Sequence, residues 1–343
     1  MESLLAIIFP VSSSLVVVQA SISTGIMHFK SFLSLSIAAP FATAYHLAVT
    51  DQHSKTVRVF PRDASKWNKD AIHWSFTADL NPWPWQKDVW ADLSEVKFRK
   101  TADRGLVALV AASGGKVGMI DIKSGEKSTT IDDVIWSATP GGNPHSLERI
   151  PYLGAFVAAS SASHKLTLYV PTDASDVNNP KKIKKSHEYT VRKAHGVLWH
   201  SGQLWAIGEN YLHRYDVVGK GKDIELKRDG KPIPLPKVKG RARNGHDLSA
   251  SYKDDDILLL THTAAAYKYN TTSKDFERLM KVDKLKSLVQ HSSGEYAWVR
   301  GAKGDMGQYV SFSDESAPTA VTKKRGWDDA EFYKARIFDP GYE

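Results

Sequence analysis

Three histidines recur in this chain with nearly constant spacing: His145, His195 and His246. Imidazole ligates divalent metals, and near neutral pH it also takes up a proton, so three rings brought to one place could hold an ion, act as a general base, or do both. A tyrosine and two cations, Tyr333, Lys334 and Arg336, lie in one short run near the C-terminus. Their alternation predicts Lys334 and Arg336 on one strand face and Tyr333 on the other. A buried cation there would clamp a substrate carboxylate, with an exposed strand-end charge as the alternative, and the phenol would serve as an acid. Trp83, Trp85 and Trp90 fall in a proline-punctuated stretch, Asn81 to Trp90, where indole rings could stack on sugars at a channel mouth or simply pack. Glu95, Glu148 and Asp247 would hold histidine tautomers or form salt bridges.

Residues about 50 apart in sequence meet only if the fold repeats. The histidines share a phase with similar tripeptides: Ser94-Glu95-Val96, His145-Ser146-Leu147, His195-Gly196-Val197, His246-Asp247-Leu248 and Lys286-Ser287-Leu288, spaced by 40 to 51 residues. That is the period of a propeller blade, whose first strand lines the central channel. Short apolar runs rich in β-branched and aromatic residues follow, among them 106–111, 116–122, 155–160, 165–170, 203–207 and 257–260. The run 331–337 opens a sixth element without strands after it, and 46–50, 56–60 and 72–77 supply the missing ones. The expected fold is therefore an all-β, six-bladed β-propeller, its ring closed by pairing of the N- and C-terminal strands, with seven blades as the alternative count. His164, His187, His200, His213, His262 and His291 fall outside the shared phase and are assigned to surface or packing. A WD40-type role, hydrogen bonding within the blade, competes for the three in-phase histidines, above all for Gly245-His246.

The 343 residues are 42% hydrophobic and 24% charged, with ten Trp, thirteen Tyr and twelve Phe, a globular composition. From Met27 the chain shows a basic start, an apolar stretch 32–41 and Ala42-Thr43-Ala44, the order of a secretory signal peptide. Residues 1–44 are thus read as a signal region, with 1–26 a gene-model extension if Met27 is the initiator, and 45–343 as one propeller domain. An anchored or uncleaved form is the alternative. The expected location is extracellular, with no stable membrane association after cleavage, and a monomer. The absence of cysteine leaves closure and packing to hold the fold without disulfides. A net charge of +8 favours acidic partners. Outside the cell, acidic polysaccharide or oligosaccharide comes before nucleic acid, which is not expected. The basic runs 181–185 and 237–243 read as loops. No phosphate-cradling loop, H-E-x-x-H helix or G-x-S-x-G elbow occurs, so those chemistries lack support.

The series Pro144-His145-Ser146, Ala194-His195-Gly196-Val197, Gly245-His246-Asp247-Leu248, Lys286-Ser287 and Tyr333-Lys334-Ala335-Arg336 resembles an uncharacterised family of secreted, WD40-like propellers of fungi and bacteria. This resemblance implies the fold and no catalytic residue. More loosely, the architecture is similar to propeller-fold polysaccharide lyases, including those acting on oligogalacturonate and on rhamnose-glucuronate caps, where histidines bind metal or remove a proton. Two functions follow as expectations. The first is β-elimination on a uronic-acid-containing glycan: His195 or His246 as base, His145 as co-ligand or carboxylate contact, Lys334 or Arg336 as clamp, Tyr333 as acid, and a divalent ion (Mn, Zn or Ca) held by the three histidines. Another channel chemistry, such as lactone hydrolysis or oxidation, is a variant of it. The second is a non-catalytic, lectin-like or scaffold propeller.

Overall fold

The computed structural model describes residues 45–78, 88–302 and 305–339. The signal-region expectation for 1–44 lies outside them. Four strands per sheet recur because the apolar runs of the inner strands are buried on both faces, while outer strands such as 183–190 and 321–326 are mostly polar and face outward.

Strands β1 (His46–Asp51), β2 (Thr56–Pro61) and β3 (Trp74–Thr77) begin the ring. Next come β4 (Leu93–Thr101), β5 (Gly105–Ala112), β6 (Lys116–Asp121), β7 (Ser128–Thr130) and β8 (Val134–Ala138). The third blade is β9 (Pro144–Ile150), β10 (Ala155–Ser160), β11 (Lys165–Pro171) and β12 (Ile183–Thr190). The fourth is β13 (Gly196–His200), β14 (Gln203–Ile207), β15 (Tyr211–Val218) and β16 (Glu225–Arg228), with β17 (Ile233–Pro234) also beside β15. The fifth is β18 (Asp247–Ala250), β19 (Ile257–His262), β20 (Ala265–Asn270) and β21 (Phe276–Met280), and the sixth is β22 (Leu285–Gln290), β23 (Tyr296–Arg300), β24 (Tyr309–Ser313) and β25 (Val321–Gly326).

The last strand, β26 (Phe332–Phe338), pairs antiparallel with β1, so the first blade reads β26-β1-β2-β3 and joins the two chain ends in one sheet. This is the expected six-bladed, end-closed propeller. One strand was not foreseen: β7 leaves the second blade and pairs in parallel with β3, completing the outer edge of the first. The run 181–185 is also not wholly loop, because Ile183, Lys184 and Lys185 begin the outer strand β12.

Six apolar clusters hold the ring, one between each pair of neighbouring blades. Strand β10 shows how: Ala155, Val157 and Ala159 pack toward the fourth blade, while Phe156 and Ala158 pack toward the second. Period two thus feeds both interfaces from one uninterrupted apolar run.

Candidate functional site: a rim of bulged residues above a buried ionic layer

Every inner strand begins with the same irregularity. On β9, Ser146 pairs with Ala159 and Pro144 with Ser160, which leaves His145 as an extra residue. The corresponding extra residues are Ser94 on β4 and Lys286 on β22. On β26, Tyr333 and Lys334 together oppose Thr50. His195 and His246 immediately precede β13 and β18. Their amides donate to the carbonyls of Ile207 (3.0 Å) and Thr261 (2.8 Å), the residues already paired with Gly196 and Asp247. Two residues against one is the count of a β-bulge, which bends the strand and re-aims a side chain. In five blades the residue two positions earlier has positive φ: Asp92, Asn143, Lys193, Asn244 and Lys284. The chain thus enters each of these blades through the same left-handed corner.

The bulged residues form a rim at one end of the channel: Ser94, His145, His195, His246, Lys286 and Tyr333. His145 and His195 stack at 4.4 Å with an interplanar angle of 13°, and His195 lies 4.9 Å from His246. The Tyr333 hydroxyl bridges two of the rings, 3.1 Å from His145 Nδ1 and 3.2 Å from His246 Nε2. Lys286 places its ammonium 5.6 Å from the centre of the Tyr333 ring. His145 and Tyr333 are buried, whereas His195, His246 and Lys286 are half-buried and open the rim to solvent.

The tautomer of His195 follows from geometry. Its Nδ1 is 2.8 Å from the Lys193 carbonyl, which can only accept, so Nδ1 carries the proton and Nε2 keeps its lone pair. Burial, with help from the Lys334, Lys286 and Lys193 charges, lowers its pKa to about 4 against the opposing pull of that carbonyl. His145 and His246 are pushed well below the ordinary histidine value by burial first and by neighbouring histidines and lysines second. Tyr333 is pushed up by burial and by the Asp247 and Glu95 carboxylates. At neutral pH the rim therefore holds three neutral imidazoles and an un-ionised phenol.

One residue further along the strands lies a different chemistry. Glu95, Asp247 and Lys334 are fully buried, with Lys334 Nζ 3.0 Å from Glu95 and 3.1 Å from Asp247. Arg336 contacts the same two carboxylates, at 2.9 Å to Glu95 and at 2.5 and 3.0 Å to Asp247. Deeper still, Arg99 forks onto Glu148 at 2.8 and 2.6 Å. Lys97 donates to Ser146 Oγ, Leu147 O and Val197 O at 2.8, 3.0 and 2.7 Å. Past this layer the channel narrows to a recess bordered by Lys97, Arg99 and Arg336, with room for about one water molecule.

The structure brings together His145, His195, His246 and Tyr333 as the repeat phase required. It corrects other assignments. Lys334 and Arg336 cannot clamp a substrate carboxylate, because both are buried and committed to Glu95 and Asp247. Tyr333 does not face away from Lys334: the bulge places two successive residues against one, so both turn inward. Of the two roles open to Glu95, Glu148 and Asp247, ion pairing is the one they take. Trp90 is 4% exposed and packs edge-on to Phe76 at 6.2 Å, so it offers no face to a sugar. Trp83 and Trp85 lie outside the described residues.

His145 and His195 stack instead of converging, and His246 is tilted by 35° to His195. Nearly parallel rings direct their in-plane lone pairs along parallel planes, and among the described residues no group of three or more His, Asp or Glu side chains is arranged for a metal ion. Lys286 joins the rim as a functional residue outside those expected, and its shared repeat phase is the signal that marks it. His291, assigned to packing, stacks on Tyr45 at 4.0 Å, away from the rim residues.

Fold and rim together define a six-bladed β-propeller with a histidine-lined channel mouth. The chain belongs to a family of unknown function (DUF6528), whose model matches residues 11–299. No curated protein matches it in sequence. Among solved structures it resembles the periplasmic gluconolactonase of Pseudomonas aeruginosa, with a TM-score of 0.55 at 9% identity over 86% of this chain and 99% of that one. It also resembles a chain of a nidogen–laminin complex, with a TM-score of 0.53 at 10% identity over 85% and 97% of the two chains. A functionally unknown protein of Desulfotomaculum acetoxidans matches with a TM-score of 0.50 at 11% identity over 85% and 84%. Likenesses this distant establish the fold alone.

Proposed function

We propose that the protein is a secreted, carbohydrate-active propeller that cleaves a uronic-acid-containing polysaccharide or oligosaccharide by β-elimination at the histidine rim. The observation that carries this reading is the rim arrangement: His195, whose Nε2 keeps a free lone pair, stacks on His145, and the Nδ1 of His145 lies 3.1 Å from the hydroxyl of Tyr333, a phenol that stays protonated. In the reaction His195 Nε2 takes the proton from the carbon next to the carboxylate, the electron pair forms the new double bond, and the bond to the leaving oxygen breaks. Tyr333 supplies the proton to that oxygen and is recharged through His145 or His246.

Lys286 replaces Lys334 and Arg336 as the cation facing the substrate carboxylate. It is half-buried at the rim, with a pKa lowered by burial. A base with a pKa near 4 is weak in the empty site, but an anionic sugar adds a negative charge beside it and opposes the depression by Lys334 and Lys286. The net charge of +8 favours such a substrate.

The test is incubation with a panel of acidic glycans, reading the ultraviolet absorbance of the unsaturated uronate product, with His195→Ala as the control. Rising absorbance lost in that variant supports the reading, and silence with every acidic glycan overturns it. Gluconolactone belongs in the panel because one fold neighbour is a gluconolactonase. Binding without turnover, unchanged in His195→Ala, would instead fit a lectin-like propeller.

A further inference from the structure

The opposite end of the molecule carries a second set of binding groups. Strand β9 runs from His145 at the rim to Ile150, and the turn that follows it, 151–154, lies roughly 20 Å away at the rise of an extended strand. That turn holds Tyr152, which is 81% exposed and has φ +62°. Gly154, at φ +63°, completes the corner. Its absent Cβ would fall 2.0 Å from the Val177 carbonyl, so the turn is pressed against the 177–178 segment.

Beside this turn is Arg149, only 7% exposed. Its neighbour Glu148 is taken by the Arg99 fork. The side-chain hydrogen bond of Arg149 is to a neutral acceptor, Asn178 Oδ1 at 2.9 Å, and among the described residues no carboxylate forms a salt bridge with it. Burial lowers its pKa, against the pull of Asp103 and Glu148. A buried guanidinium without a carboxylate is a costly arrangement. Its fork geometry suits a planar oxyanion. Lys100, Thr101, Arg149, Pro151, Tyr152 and Asn178 line a groove of about 240 Å³, room for a single sugar ring.

We propose that this groove between the second and third blades is a binding subsite for a carboxylate-bearing sugar, with Arg149 holding the carboxylate and Tyr152 covering a face of the ring. It lies at the far end of the propeller from the rim, so it serves as a docking point for an acidic glycan and takes no part in proton transfer. The ligand class is that of the proposed rim substrate, but the groove stands on its own residues and fails or holds independently of catalysis.

The experiment is titration of the full-length protein with galacturonate, followed by calorimetry and by chemical shifts, with galactose as the uncharged counterpart. Galacturonate is expected to bind and galactose to bind at least tenfold more weakly. Tyr152→Ala, at an exposed position where folding is not at risk, should weaken galacturonate roughly tenfold. Arg149→Lys keeps the charge without the fork and should weaken it at least as much. His195→Ala should leave this binding unchanged. Absence of galacturonate binding, or binding indifferent to Tyr152→Ala, overturns the proposal. Binding lost in His195→Ala and kept in Tyr152→Ala would place the sugar at the rim and overturn it equally, while supporting the rim reading.

Discussion

Replacing Lys334 with Met is the most searching perturbation of the ionic layer. The ammonium is fully buried between Glu95 (3.0 Å) and Asp247 (3.1 Å). Without it, two carboxylates share the Arg336 guanidinium, and the other cation near Glu95 is Lys97 at 3.7 Å. Removing one partner from a buried ionic set leaves an uncompensated charge and costs about 3–5 kcal/mol. For a domain of this size that is a fall in Tm of roughly 5–8 °C.

The acid dependence sharpens the test. Burial alone would raise the Glu95 pKa, but Arg336, Lys334 and Lys97 overbalance it and bring it down to about 2. A carboxylate depressed in the folded state contributes stability that is present above its unfolded value, about 4.5, and is lost as pH falls toward the folded value. Removing Lys334 should therefore shrink that contribution and move acid unfolding to higher pH. Glu95→Gln with Lys334→Met removes one charge of each sign, so the double variant should lose less than the two single changes added together. Thermal unfolding by circular dichroism between neutral and acid pH reads all three variants. A Lys334→Met shift under about 2 °C, or strict additivity in the double variant, would refute the claim that these groups act as one ionic unit.

Three further outcomes follow from the rim and its support. His195 titrates near 4 in the fold against about 6.5 unfolded, so the folded state binds fewer protons, and the stability present above pH 6.5 should fall as pH drops toward 4. The slope is about 1.4 kcal/mol per pH unit for each such histidine, and changing His145, His195 and His246 to Gln should flatten it in a pH series of melting curves. Tyr333→Phe should lower turnover of an acidic glycan by about 10²–10⁴-fold while costing only about 1–3 kcal/mol of stability, since two imidazole nitrogens lose their shared hydroxyl; steady-state rates and melting curves separate the two effects. Trp90→Ala should cost about 3–5 kcal/mol and leave glycan binding by the folded protein unchanged, because Trp90 fills the interface between the first and second blades.

Much of the architecture was legible because β-propellers write it twice. The apolar runs betray strands buried on both faces, as 203–207 in β14 and 155–160 in β10 do without an end adjusted. The shared phase of Ser94, His145, His195, His246, Lys286 and Tyr333 marks the channel rim. What could not be read was direction. A strict alternation sends Tyr333 and Lys334 to opposite faces, and only the bulge opposite Thr50 sends both inward. A trace of that bulge is present in sequence, since Asp92, Asn143 and Asn244 are residue types that tolerate positive φ and recur two places before it, but Lys193 and Lys284 break the pattern. The ionic layer was legible only as one of two roles for Glu95, Glu148 and Asp247, for another reason. Partners such as Glu95 and Arg336 are 241 residues apart, and nothing local tells a charge that meets substrate from one that meets its complement across the channel.

The two levels of the channel work against each other in a useful way. The ionic layer holds four cations, Lys97, Arg99, Lys334 and Arg336, against three carboxylates, Glu95, Glu148 and Asp247. Its excess is positive, and Lys334 contributes to the lowered pKa of each of the three rim histidines. Burial does most to keep the rings neutral, and positive charge beneath the rim adds to it by disfavouring imidazolium above, the neutral form being the one that proton abstraction needs. Lys334 is thus a positioning residue for the rim's protonation state, and this role is separable from its ion pairs: Lys334→Arg retains the charge, whereas Lys334→Met removes it. The methionine variant should raise the titration points of the His145, His195 and His246 ring protons by NMR, and the arginine variant should leave them near the wild-type values. Equal shifts in both variants would show that packing, and not charge, sets the histidines.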